Sequence, residues 1–468
     1  MTAQALYPAP HRPLERATAV DAVAFAAAVG IILVFSQAWL TALTGGATTP
    51  EISGLVRAMF FPAYALGLVL LALEPLQGAR AAVRQPLAIL LVWIAAASML
   101  WSVDPSETLR RTVALCLTTL CGLLVGARFR WATLAEALAT AFAILAVGSF
   151  LVGLFVPSFG RMENLFPGAW RGFWIEKNLL GGNMAIGFTM IAAAALLRPK
   201  RALLWWPLAG LALLLILLST SKTALLACAV GVSGLVLVGL MRRGPSTRVA
   251  AIYGVATAAA LGAMIALFAA DVALAILGKD ATLTGRTKIW AAVTRQITQH
   301  PWLGLGYGAP WTDPSPWGPA AEIAKEAGFR ASHAHSSWLE QWLSLGIGGL
   351  LVWTAYFLET WVRAVRALFT DKGAYLVVPF LLVFTLTTLT ESVAVIYNDM
   401  RWVIFVALAA KLALPDKAAP RPPVAPRRRR PSATVTTSAV PASAWSRRRS
   451  NAPGSQPQGE GVWPTSWV

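Results

Sequence analysis

His333 and His335 stand two residues apart in SHAHSSWLE, just ahead of an apolar segment, and imidazole is the side chain best suited to moving a proton near neutral pH. Three of the four histidines lie between Gly285 and Gly349, the one long stretch in which polar groups gather between apolar blocks. Ser337 followed three residues later by Glu340 fits a capping box, which would start a helix at Ser337 and leave His335 just outside its N-terminus. The partial positive charge of a helix N-terminus disfavours imidazolium, so His335 is expected to be neutral and able to accept a proton. The two histidines offer a pair of metal ligands with no obvious third, and no metal is expected.

Cations form the second constellation. Lys222 and Arg286 lie beside the ends of apolar runs, where an unpaired cation is costly and usually has a partner. Arg171 and Lys177 belong to another polar stretch, RGFWIEKN. A group of such cations at one interface suits a phosphate or pyrophosphate. Within the histidine-bearing stretch, Ile289, Trp290, Val293 and Ile297 recur at helical spacing, which predicts an amphipathic helix lying at the membrane surface. His300-Pro301 ends it, and GLGYG follows as a turn in which glycines permit close approach of backbone.

The elements that must carry these residues are read from composition. With 57% hydrophobic and 13% charged residues and a mean hydropathy of +0.62, the chain holds more apolar surface than one soluble core can hide. The expected fold is an all-α polytopic integral membrane protein of about 12 transmembrane helices. They are predicted at 20–39, 55–73, 87–101, 112–126, 134–156, 179–197, 203–219, 223–240, 249–277, 337–361, 376–395 and 402–414. The net charge of +18 falls mostly in short connectors and in the C-terminal segment, which argues for cytoplasmic loops and against nucleic acid.

Counting alternately from a cytoplasmic segment 1–18 puts every Arg/Lys-dense connector of the membrane domain 19–414 inside. It also puts a large loop, 278–336, between helices 9 and 10 on the outer, periplasmic side, together with Lys222. Residues 415–468, rich in Pro, Ser and Arg, are expected to be a disordered cytoplasmic tail. Cys116, Cys121 and Cys228 lie inside apolar runs and are read as packing residues.

At these residues the chain resembles the O-antigen ligase and Wzy-type polymerase superfamily of bacterial envelope glycosyltransferases. The resemblance rests on 286–290, an Arg-x-x-x-Trp segment, on HPWLGLGYG at 300–308, on HAHSSWLEQWLSLGIGG at 333–349 and on the hairpin STSKTALL at 219–226. The stretch 171–182 is similar to exopolysaccharide polymerases of the ExoQ kind, and GIGGLL lacks the paired threonines of the ligase branch. The resemblance implies a metal-independent, cofactor-free glycosyltransferase in a bacterial inner membrane, acting on a polyprenyl-pyrophosphate-linked glycan donor and an acceptor glycan or lipid. It also leaves room for a chain-length regulator. His335 and Arg286 are then the catalytic candidates. Lys222, Arg286, Arg171 and Lys177 would hold the pyrophosphate, and His333, Ser336 and Glu340 would support them. Polymerisation is the expected reaction; ligation to lipid A core and transport of lipid-linked glycans are the alternatives.

Overall fold

The computed structural model describes residues 18–45, 50–164, 166–268, 286–313, 315–414 and 416. Regular structure among them is helical, apart from an isolated bridge between Arg161 and Trp170. The chain divides into units 1–416 and 417–468; the predicted tail other than Asp416, and residues 1–17 of the N-terminal segment, lie outside the described residues.

The N-terminal helices are α1 (Ala19–Phe35), α2 (Leu40–Thr44), α3 (Pro50–Ala58), α4 (Phe61–Leu73), α5 (Pro75–Val83) and α6 (Pro86–Ala97). Longer ones follow as α7 (Pro105–Arg128), α8 (Trp131–Phe155), the single turn α9 (Pro157–Gly160), α10 (Lys177–Leu197), α11 (Ala202–Leu218), α12 (Lys222–Arg243) and α13 (Pro245–Phe268). The large loop carries α14 (Arg286–Gln299) and α15 (Pro319–Ala327). The chain then closes with α16 (Ser337–Thr370), α17 (Ala374–Thr390) and α18 (Met400–Ala413).

Among the described residues, seven helices are long and apolar enough to cross a bilayer, or eight if a bent pair counts as one span. Twelve are expected from sequence. The bent pair is α5 with Pro86–Leu100, at 82°, where the sequence reading has a plain connector before its third span. Proline at the first position of both helices explains the break, because it starts a helix but cannot continue one. Gln85 between them is buried and donates to the Ala409 carbonyl at 2.7 Å. The ninth predicted span matches α13 as far as Phe268, and its last residues, 269–277, lie outside the described residues.

α18 is short for a span yet sits at the centre of the bundle: no side chain from Trp402 to Ala410 has any exposure. Its Phe405 stacks on Trp402 and on Phe384 of α17, and both Trp402 and Phe405 meet Trp353 of α16 at tilted or edge-on angles, in one aromatic cluster. Because protein surrounds it, its length need not match a bilayer.

α16 is not a continuous helix. Gly346 leaves helical geometry, with φ of 66° and ψ of −170°, so 337–345 and 347–370 are separate segments. The GLGYG loop fills the break. Leu305 and Gly306 donate their backbone N–H groups to the freed carbonyls of Leu343 and Ser344 at 2.9 and 3.0 Å, and Ile347 donates to the Pro301 carbonyl at 2.9 Å. Buried backbone groups released by a break must find partners, and this loop supplies them.

The apolar face of α14 is where the helical spacing predicts it, but it is turned into protein instead of headgroups. Ile289, Val293 and Ile297 pack with Trp311, Ile323 and Leu343 in a small core of their own. The described part of the loop is thus folded, with an interior of its own.

Candidate active site

Four elements meet at His335. Ser336 caps α16, its hydroxyl accepting from the Leu339 N–H at 3.5 Å, so the cap falls one residue earlier than the predicted Ser337. Glu340 does not reach back to the cap as a capping box requires. Its carboxylate accepts from Trp311 Nε1 at 2.6 Å, Ala334 N at 2.8 Å and Ser392 Oγ at 3.1 Å, tying three segments to the first turn of α16. Ser337 Oγ donates to the Glu391 carbonyl at 2.8 Å and accepts from Val393 N at 2.9 Å. The hydroxyl that sequence reasoning assigns to capping therefore anchors the loop after α17.

That loop holds the residue sequence reasoning misses. Glu391 ends α17 in extended geometry. One of its oxygens pairs with Arg286 Nη2 at 2.5 Å, and the other lies 3.0 Å from His335 Nδ1. Burial works to raise the Glu391 pKa, but the His335 hydrogen bond and the Arg286 charge outweigh it and leave the carboxyl below its ordinary range. An ionised carboxylate accepts, so the Nδ1–H of His335 is the donor to Glu391, and Nε2 has no partner among the described residues. The signal was present in sequence: Glu391 is a lone carboxylate inside the apolar run 376–395, and an ionisable group there is a functional-site hypothesis by default.

His333 stands beside this pair, with its ring centroid 4.0 Å from that of His335. Its Nδ1 accepts the His335 backbone N–H at 3.2 Å, which supports His335 at a φ of 50°, unusual for a residue with a side chain. Burial, with the His335 ring adding to it, pushes the His333 pKa down to about 4. Arg401, itself paired with Asp399, joins Arg286 and Glu391 among the charges that act on His333.

The other predicted cations gather at a neighbouring place. Lys177 Nζ donates to Thr220 Oγ1 at 3.1 Å and lies over the Phe166 ring, which sets it against the hairpin that presents exposed Lys222. α12 runs antiparallel to α17, since Gly231 meets Val383 and Gly234 meets Pro379. That register puts Lys222, at the start of α12, at the same end of the bundle as Glu391, at the close of α17. Arg171 is engaged by backbone, donating to the Phe159 carbonyl at 2.8 Å.

His333, His335 and Glu391 each offer a ligand atom, all within 4.8 Å of one another, so the third ligand that sequence did not supply exists in space. Arg286 is paired with one Glu391 oxygen, however, and brings a positive charge to the same carboxylate.

What the fold and this site define is a polytopic all-α membrane protein with a carboxylate-oriented histidine beside a guanidinium at one end of its bundle. A family model described as O-Antigen ligase matches residues 207–354. The chain is 26% identical over 290 residues to the exopolysaccharide production protein ExoQ of Rhizobium meliloti, covering 58% of this chain and 64% of that protein. It is 29% identical over 181 residues to an O-antigen ligase of Pseudomonas aeruginosa, covering 38% of this chain and 40% of that protein. The chain is thus related at low identity to the O-antigen ligase superfamily and spans less than two thirds of the length of either relative. The matched stretch includes Lys222, Arg286, His333 and His335 and stops short of Glu391.

Proposed function

We propose that this protein is an inner-membrane glycosyltransferase that polymerises glycan repeats delivered on polyprenyl pyrophosphate, with the His335 loop on the periplasmic side and twelve spans in all. The observation that carries the reading is the bonded set His335–Glu391–Arg286, two of whose members lie in the stretch similar to O-antigen ligases. An acceptor hydroxyl gives its proton to His335 Nε2 as its oxygen attacks the donor's anomeric carbon. The bond from that carbon to the pyrophosphate oxygen breaks, and the lipid pyrophosphate leaves with the electron pair. Glu391 is a positioning residue that sets the tautomer and stabilises the imidazolium once formed. Arg286 and Lys222 neutralise the leaving pyrophosphate, with Lys177 and Arg171 further out.

The reaction is metal-independent in this reading, because Arg286 already supplies the local cation. Polymerisation is preferred over ligation on the likeness to the ExoQ protein, which extends over more of the chain than the likeness to the ligase. Ligation to lipid A core is the second reading.

Purified protein supplied with lipid-linked repeat units is the test. Wild type is expected to build a ladder without added lipid A core and in the presence of EDTA. His335→Ala should lose about 10²–10⁴ of the rate, and Glu391→Gln should lose less while moving the pH profile. Full activity of His335→Ala would sink the assignment, strict dependence on core would favour ligation, and EDTA inhibition would make the His333–His335–Glu391 cluster a metal site.

A further inference from the structure

The end of the bundle away from His335 carries a second charged site. A cavity of about 280 Å³ opens where α16 finishes, lined by Arg84, Arg363, Arg366, Trp131, Thr370 and Asp371 among others. These residues come from the end of α5, the start of α8 and the last turns of α16, so the cavity is built by packing of separate elements. The last turns of α16 lie beside the start of α17, whose other end, about 25 Å away along 17 helical residues, carries Glu391.

The charges in it are unbalanced. Asp371 is committed, accepting from Trp131 Nε1 at 2.7 Å and from Gly373 N at 2.8 Å, while its carbonyl takes Arg242 at 2.9 Å. Nearby Asp416 is likewise held, by Lys411 at 2.6 Å. Glu359 pairs with Arg363 through Nη2 at 2.5 Å, yet Arg363 Nη1 is buried and has no partner among the described residues. Arg84 and Arg366 are exposed and make no side-chain hydrogen bond or ion pair among the described residues. Arg363 is paired with Glu359, whose other oxygen is also unmet among the described residues, and keeps one buried N–H without an acceptor, which is costly; the two unpaired guanidinium groups of Arg84 and Arg366 at the rim complete a site for a phosphate.

We infer that this cavity seats the phosphate headgroup of an anionic phospholipid from the leaflet opposite the His335 site. Trp131 walls the headgroup side, and the exposed apolar residues Val362, Val365 and Phe369 on the same turns of α16 offer contact for acyl chains. Positive charge at this end also serves orientation in the membrane, but orientation needs neither a cavity nor a buried unpaired N–H.

Native mass spectrometry of the full chain in neutral detergent tests this with phosphatidylglycerol, cardiolipin and phosphatidylcholine, and in a separate arm with inorganic phosphate. The anionic lipids are expected to bind about tenfold more tightly than phosphatidylcholine, and Arg84→Gln/Arg366→Gln should remove most of that preference. Arg80→Gln/Lys200→Gln, which removes the same charge from exposed residues outside the cavity, should retain it. An unchanged lipid-free melting temperature establishes that the double variant is folded, and Arg84→Gln alone serves if it is not. No preference for anionic lipid in the wild type, or equal loss in both double variants, overturns the site. Inorganic phosphate competing as well as whole lipid overturns the lipid assignment.

Discussion

His333 does its work through its backbone partner and not through its charge. Its Nδ1 must stay unprotonated to accept the His335 N–H, and its surroundings hold its pKa at about 4. The unfolded chain takes up this proton near pH 6.5 while the folded chain resists it down to about 4, so folding stability falls as the pH drops through that window. The slope from this one group approaches about 1.4 kcal/mol per pH unit. Melting temperatures of wild type and His333→Asn, compared between pH 7.5 and 4.5, should converge at the acid end, because the amide offers an acceptor that does not titrate. Parallel curves would remove His333 from the account. At this scale the sequence marks His335 and Arg286 by motif. Glu391 lies 56 residues beyond His335 and bonds to it only because α16 and α17 pack side by side.

At the scale of elements, the GLGYG loop and the break in α16 explain each other. Gly304 has a φ of 68° and lies against the Gly346 backbone, where an added Cβ would sit 2.6 Å from Gly346 N; a Cβ on Gly346 would meet the Trp302 carbonyl. The loop is held on its other side too, with Tyr307 N donating to Ser98 Oγ at 3.0 Å and Arg111 donating to the Gly308 carbonyl at 2.8 Å. Tyr307 Oη reaches the Val395 carbonyl at 2.8 Å, which links this loop to the segment bearing Glu391. Segment 337–345, with His335 at its head, is therefore gripped at both ends. Gly346→Ala should cost about 1–3 kcal/mol from backbone strain, with a further loss from the clash, and should lower activity with it. Gly348→Ala, two residues on in helical geometry with open space around it, should be neutral in the same melting assay. Equal effects would mean that the break is not what fixes the segment. The helical spacing of α14 was legible in sequence, but its burial was not, because an apolar stripe does not say whether lipid or protein covers it.

At the scale of the whole molecule, the proposed topology puts the loop region outside and the α16–α17 connector inside. In a cysteine-free background, Trp317→Cys, 85% exposed, should react with an impermeant maleimide in intact spheroplasts, and Lys372→Cys should react only after permeabilisation. The reverse pattern would invert the orientation and move the His335 site to the cytoplasm. By itself the sequence determined that the chain is a helical, multi-span membrane protein. Apolar run length and the placement of charge are local properties, and the bilayer acts on them directly. Only the tertiary structure decided that Glu391 orients His335, that Ser337 and Glu340 tie loops instead of capping a helix, and that a glycine loop fills a broken span. Each of those is a hydrogen bond between segments far apart in the chain. Which donor meets which acceptor depends on how the helices pack, and residue spacing does not encode that.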